Sequence, residues 1–407
     1  MTQVHTLAIE PPYRGRFALA HLGFRPFFLG AAGFAVLAML LWLARYQGIH
    51  LGGHATYPGM IWHAHEMIFG YAGAVMAGFL LTAVKNWTGR QTLHGNALLG
   101  LATCWLIARL TALTGAVPLL VPAIFDLLFL LGLVSAVFEP IVRGKHWRHV
   151  GMISKAALLI PANLLFYLGL FGVWPSGLKL GLYLGFYTIV ALILAMGRRV
   201  IPFFIERGVG CPFEARRNPW LDRLSLGLFL PFALADTLAM TTGQAGLHTL
   251  AGVLALIQVP LHSLRLRDWH HPGIWRKPLL WVLFLAYGWL LVGLVLKALT
   301  LAIALSPYIA IHAFAIGGIG MMTVGMMARV TIGHTGRLVN TPPPGLTALF
   351  LIIFAAALVR VGGTALWPAH DSLWIVLAQL LWITAFGLFL RQFAAMLIKP
   401  RIDRRYG

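Results

Sequence analysis

Apolar positions along the chain gather into twelve long stretches separated by short polar breaks, near 24–44, 62–84, 96–115, 118–138, 150–172, 178–200, 222–242, 246–267, 278–297, 308–330, 345–361 and 373–397. A helix crossing a bilayer needs roughly 17–25 predominantly apolar residues. The pattern therefore predicts an all-α, polytopic membrane protein of about twelve transmembrane helices. The longest polar interruption runs through Arg216-Arg217-Asn218-Pro219. It is too short to form a domain, so residues 1–407 read as a single integral membrane domain of two six-helix halves, 1–205 and 220–400, joined by a basic loop.

Composition strengthens this reading: 59% of the residues are hydrophobic and only 10% charged, against about 25% charged in an ordinary globular chain. A net charge of +20 would suggest nucleic acid in a soluble protein. Here all of the Lys and Arg except Arg45, Arg109, Lys179, Lys297 and Arg360 fall in the N-terminal segment, the C-terminal tail and the loops after even-numbered helices. By the positive-inside rule both termini are expected in the cytoplasm, the charge serves topology and anionic lipid, and no nucleic-acid partner is needed. The first twenty residues hold Glu10, Arg14 and Arg16 and no apolar core. The first helix, not a cleaved leader, is then the expected targeting signal. Arg25, in Phe24-Arg25-Pro26-Phe27-Phe28, is expected to snorkel to the headgroups. Cys104 and Cys211 lie in different environments and predict neither a disulfide nor a thiolate cluster.

One stretch occurs twice. Trp62-His63-Ala64-His65-Glu66-Met67-Ile68-Phe69-Gly70 opens the second helix, and an offset of 247 places His65 on His312, Gly70 on Gly317, Gly73 on Gly320, Gly78 on Gly325, and Thr88-Gly89-Arg90 on Thr335-Gly336-Arg337. That is the mark of an internal duplication. Helices 2 and 10 share an orientation, so the repeat is parallel, and His65 and His312 are expected at one depth near the periplasmic surface. Two sister helices each offering an imidazole are an arrangement able to hold a porphyrin iron from both sides. With no Cys-x-x-Cys-His present, a b-type haem is the natural candidate. His63 and His65 point about 200° apart and cannot serve one metal unless the first turn unwinds. The repeated glycines share a face with His63 and Glu66, not with His65, and suit close helix packing. Alignment of Arg199-Val200 on Arg329-Val330 hints at a third copy, with Leu182 in the place of histidine.

Arg109, Asp126 and Asp236 lie within helices 3, 4 and 7, in their periplasmic halves. Ionisable groups at that depth are costly and pair or serve a pathway. Arg109 and Asp126 read either as a structural pair across a hairpin or, with Glu66, as a polar cluster that admits protons or holds haem propionates. His50 and His54 in the first outer loop, His262 in helix 8, and His270-His271 after it read as solvated or hydrogen-bonded groups. His334 lies 22 residues beyond His312, about 33 Å along the helix, so the two cannot share a metal. It is a separate candidate site.

These motifs together resemble the NnrS family of bacterial membrane proteins. The resemblance rests on Phe24-Arg25-Pro26-Phe27-Phe28, Trp62-His63-Ala64-His65-Glu66 through Asn86-Trp87-Thr88-Gly89, Gly197-Arg198-Arg199-Val200-Ile201-Pro202-Phe203-Phe204 and Gly333-His334-Thr335-Gly336-Arg337. It implies a twelve-helix inner-membrane protein that contains haem, with copper, and is linked to the response to nitric oxide. The family histidines carry over to His63, His65, His312 and His334. One departure is Leu283-Phe284-Leu285-Ala286-Tyr287, where the family shows histidine in place of Phe284, a residue unable to bind metal. A more distant, fold-level likeness is to haem–copper oxidases and nitric oxide reductases, with haem histidines on helices 2 and 10.

The leading expectation is a haem protein of the nitrosative-stress response that binds, and reduces or detoxifies, nitric oxide with electrons from an unknown donor. His65 and His312 would be axial ligands with His63 beside them, Glu66, Asp126 and Asp236 would supply protons, and Arg109 would hold a propionate. The rivals are a proton-coupled secondary transporter and a non-catalytic protein that senses or handles haem or copper.

Overall fold

The computed structural model describes residues 15–49 and 57–407; Glu10, Arg14, His50 and His54 lie outside the described residues. Among the described residues there is no strand, and twelve helices are long and apolar enough to cross a membrane. They are α1 Phe24–Tyr46, α2 Gly59–Thr88, α3 Gly95–Leu113, α4 Leu120–Arg143, α5 Trp147–Leu170, α6 Gly177–Gly208, α7 Pro219–Thr242, α8 Ala245–Trp269, α9 Pro278–Leu299, α10 Pro307–His334, α11 Leu346–Leu366 and α12 Pro368–Ile398. All twelve expected stretches are helical. The largest boundary difference is in α6, which runs on through Pro202 to Gly208.

Three helices form the centre: α2, α6 and α10 touch one another, and 78%, 72% and 78% of their most apolar stretches are buried. The helices before them, α1, α5 and α9, pack against α12, α4 and α8 in turn. The helices thus close into a ring of three sets of four. The sixth helix, α6, packs on α7 across the basic loop as well as on α5, α2 and α10. The third copy hinted at by Arg199-Val200 is the third central helix, with Leu182 buried where its sisters carry histidine.

The duplication is also visible in the backbone. A π-helical segment covers Glu66–Ala72 in α2 and another covers Ala313–Gly320 in α10, each beginning directly after the aligned His65 or His312. A third, Val359–Gly363, interrupts α11 at Arg360. Such widened turns release backbone groups from the regular ladder and gather at functional sites. In α2, Trp105 Nε1 donates to the Gly70 carbonyl at 2.9 Å. Tyr71 and Thr323 join the sister helices through their hydroxyls at 2.5 Å.

Two of the aligned glycines show why small residues stand there. A Cβ on Gly70 would lie 2.7 Å from Phe34 and 2.8 Å from Arg109 Nη1, and one on Gly317 would lie 2.3 Å from the Trp289 ring. Arg25 does not snorkel. It is wholly buried, and its guanidinium donates to the carbonyls of Met396, Leu397, Lys399 and Gly407 at 2.5–3.1 Å. The last carbonyls of a helix lack partners and carry its negative dipole end. A cation that caps α12 is held more firmly than one left among headgroups. The end of the bundle holding His63, His65 and His312 is called below the histidine end, and the opposite one the basic end.

Candidate functional site

Two residues apart on a helix, His63 and His65 must meet different neighbours. His65 turns toward α4 and α5 and is completely buried. Its Nδ1 lies 3.2 Å from Glu66 Oε1 and its Nε2 lies 2.9 Å from Asn163 Oδ1, with Asp126 Oδ2 at 3.7 Å. The ring stacks on Phe166 with centroids 4.2 Å apart. Oxygen atoms thus flank both ring nitrogens.

Arg109 reaches the same cluster from α3. Its Nη1 donates to Glu66 Oε2 at 2.6 Å, its Nη2 bonds Asp126 Oδ1, and Tyr167 donates to Asp126 Oδ2 at 2.7 Å. The pair foreseen across the α3–α4 hairpin is therefore present and includes Glu66. Every member is at most 2% exposed. The cluster sets one guanidinium against two carboxylates, with the His65 ring hydrogen-bonded beside them. Tyr57, whose ring lies edge-on to His65 at 6.2 Å, closes the cluster. Burial and then the Glu66 carboxylate push its phenol well above the ordinary range.

The expected axial pair, His65 and His312, meet different neighbours. The His65 ring nitrogens face Glu66 of its own helix and Asn163 of α5, whereas His63 lies within electrostatic reach of His312, and Arg360 of α11 lies within reach of both. The His63 ring is stacked on Trp42 with centroids 5.0 Å apart and planes at 9°. Its Nδ1 is buried with no hydrogen-bond partner among the described residues. His312 Nδ1 donates to the Tyr308 carbonyl at 2.7 Å, which fixes the tautomer and leaves Nε2 with its lone pair. The reason for the difference is rotational: the face of α2 that carries Glu66 and Gly70 receives Arg109, and this orientation sends His65 to α5 and His63 to the margin. Arg360 Nη1 donates to Thr364 Oγ1 at 2.8 Å, and Thr364 donates to Asp371 Oδ1 at 2.7 Å. The hairpin α11–α12 thus repeats the arginine-to-aspartate arrangement of α3–α4.

Asp236 sits in a third buried pair. Lys297 Nζ donates to its Oδ1 at 2.7 Å and Tyr187 to its Oδ2 at 2.5 Å. His334 is remote from the other histidines, at the basic end, among Arg401, Lys85 and Arg25; that positive surrounding opposes a metal cation. His262 is buried with Nδ1 2.7 Å from the Tyr287 hydroxyl. His270 accepts from Trp275 Nε1 at 3.2 Å and lies against Phe284, and His271 accepts from the Gly273 amide. Cys104 and Cys211 are free. Among the described residues no three His, Cys, Asp or Glu side chains converge to hold a metal ion.

Asn163, Tyr167, Tyr187, Lys297 and Arg360 were not singled out as site residues from the sequence. For the two cations a signal existed: both are exceptions to the positive-inside distribution, as is Arg109. A cation that defies insertion topology needs an acid to hold it: Arg109 and Lys297 have buried ones, Asp126 and Asp236, and Arg360 has the half-exposed Asp371. The family model described as NnrS protein matches residues 18–401, nearly the whole chain. None of the curated proteins compared with the chain matches it.

Proposed function

The chain belongs to the NnrS family, and from that premise we propose that it is an inner-membrane haem protein of the nitric oxide response. In this reading the histidine end is periplasmic, both termini are cytoplasmic, and a b-type haem is held between His63 and His312. The observation that carries it is the buried, unpartnered Nδ1 of His63 within electrostatic reach of a His312 whose Nδ1 is fixed by Tyr308. Two imidazoles suit an iron that brings four equatorial nitrogens of its own, better than an ion that needs three or four protein donors. Haem iron, when bound, would pass on an electron from a donor protein, or take nitric oxide in place of one of the two imidazoles. Copper enters the reading through the family resemblance alone.

The chain's own groups divide the remaining work. Arg360, next to both imidazoles, would meet a propionate. That is the part first given to Arg109, whose Nη atoms are taken by Glu66 and Asp126. The ion-paired cluster of His65, Glu66, Asp126 and Tyr167 begins two residues from His63 and fixes the turn of α2 that presents it, while Asp236 is held by Lys297 and Tyr187. A carrier needs acids that load and release protons freely; here Asp126 and Asp236 are each bound to a cation, which weighs against transport.

The test is a pyridine haemochrome spectrum with metal analysis on protein expressed with ample haem. Haem b should be found, His63→Ala or His312→Ala should remove it or change its spin state, and nitric oxide should shift the Soret band. A colourless, folded protein ends the proposal.

A further inference from the structure

At the basic end, α6, α7, α8 and the loop between α6 and α7 enclose a cleft of about 230 Å³ lined by Arg198, Arg199, Arg216, Arg217 and Arg265. Its two acidic residues do not balance them. Asp222 is shared by Arg265 at 2.6 Å and Arg198 at 3.1 Å, and Asp268 pairs with Arg267, which does not line the cleft. Arg217 is paired with Glu206 at 3.1 Å. Arg199 and Arg216 have no acidic partner within ion-pair distance among the described residues. Lys155 lies within electrostatic reach of Arg198 and Arg199, and Arg148 within reach of Arg199.

Topology signals explain why arginines are plentiful at this end, but not why they converge. Like charges spread apart unless something holds them. Arg265 is only 2% exposed. Its Nη atoms are bonded to Tyr287, Ser225, Asp222 and Leu221, yet its Nε is buried with no acceptor, and so is that of Arg198. Buried N–H groups without partners are rare in native proteins and call for an unseen acceptor.

We propose that this cleft binds a phosphate group, supplied by the headgroup of an anionic phospholipid or by soluble phosphate. Guanidinium forks match the oxygens of a phosphate in pairs. The volume lies below the roughly 300–1,000 Å³ of pockets for whole cofactors, so it suits a headgroup. The cleft opens near the end of α6 and the start of α7, which also carry the exposed Phe203, Trp220 and Leu224, where acyl chains would lie if the phosphate belongs to a lipid. Basic pockets between membrane helices bind such headgroups by this chemistry.

Native mass spectrometry of the full-length protein in nanodiscs containing phosphatidylglycerol and phosphatidylcholine tests the proposal. The wild type should retain one phosphatidylglycerol per chain in preference to phosphatidylcholine. The double variant Arg199→Gln/Arg216→Gln should weaken retention by about tenfold, as expected for losing charge-assisted bonds, while Arg404→Gln/Arg405→Gln, with the same loss of charge, should not. If millimolar inorganic phosphate displaces the lipid or raises the unfolding temperature of lipid-free protein, free phosphate also occupies the site; if it does neither, the lipid is the source. Equal retention of both lipids together with no effect of phosphate overturns the proposal. So does an equal loss in both double variants.

Discussion

His65 and Asn163 face each other across the contact between α2 and α5, Nε2 to Oδ1 at 2.9 Å, and Glu66 occupies the other nitrogen of the same ring. A histidine that sequence reasoning placed on iron is thus part of an ionic cluster, and its neighbour His63 has the nitrogen to spare.

Replacing His65 by Ala should leave Glu66 Oε1 and Asn163 Oδ1, both buried, without the ring they share. Removing one partner of a buried ionic group costs about 3–5 kcal/mol. The unfolding midpoint of the detergent-solubilised protein should fall accordingly, with haem per folded chain unchanged. His63→Ala should do the reverse, sparing stability and removing the pigment.

Lys297→Met should destabilise by a similar amount, about 3–5 kcal/mol, because Asp236 would be left buried with only the Tyr187 hydroxyl. Adding Asp236→Asn should recover much of the loss, since no uncompensated charge then remains. A double-mutant cycle on unfolding free energies measures the coupling. Additive losses would show that the two groups act separately.

Gly70→Ala should cost about 1–3 kcal/mol through overpacking, because the new methyl meets Phe34 at 2.7 Å and Arg109 at 2.8 Å. Gly317→Ala should behave alike against Trp289. Gly33→Ala on α1 meets nothing within 4 Å and should be neutral or slightly stabilising, as alanine is favoured over glycine inside a helix. Thermal midpoints of the three variants give the comparison.

Acid should loosen the C-terminal tail in two steps. Burial first, and then Arg25, hold the His21 imidazole below its ordinary 6.5; the ring stacks on Tyr406 with centroids 4.3 Å apart. A hydrogen bond from Arg401 holds the Asp403 carboxyl well below its ordinary value. Both folded-state values are depressed, so each contribution is complete above the unfolded value and is lost as pH falls toward the folded one. Amide exchange over 400–407 should rise first below about pH 6.5, through His21, and again below about pH 4, through Asp403. His21→Phe should abolish the first rise.

The candidate site was legible only in part. The Arg109–Asp126 pair could be foreseen because a short connection forces α3 and α4 together, and Glu66 because it shares a face with Gly70. Lys297 and Asp236 are 61 positions apart on different helices, and nothing local joins them. Arg25 was misread for a related reason: a cation beside a membrane helix suits lipid or a helix end equally well until the position of α12 is known.

By itself the sequence determined the number of helices, their order and alternation, the repeat that makes α2 and α10 sisters, and the chemical groups present, since length, apolarity and charge distribution decide what enters a bilayer. Only the tertiary structure decided how far each helix is turned about its axis. Helices apolar on every side carry no periodic signal of which face meets protein. That angle is fixed by small residues and buried ion pairs at the contacts, and in α2 it sends His65 to Asn163 and stacks His63 on Trp42.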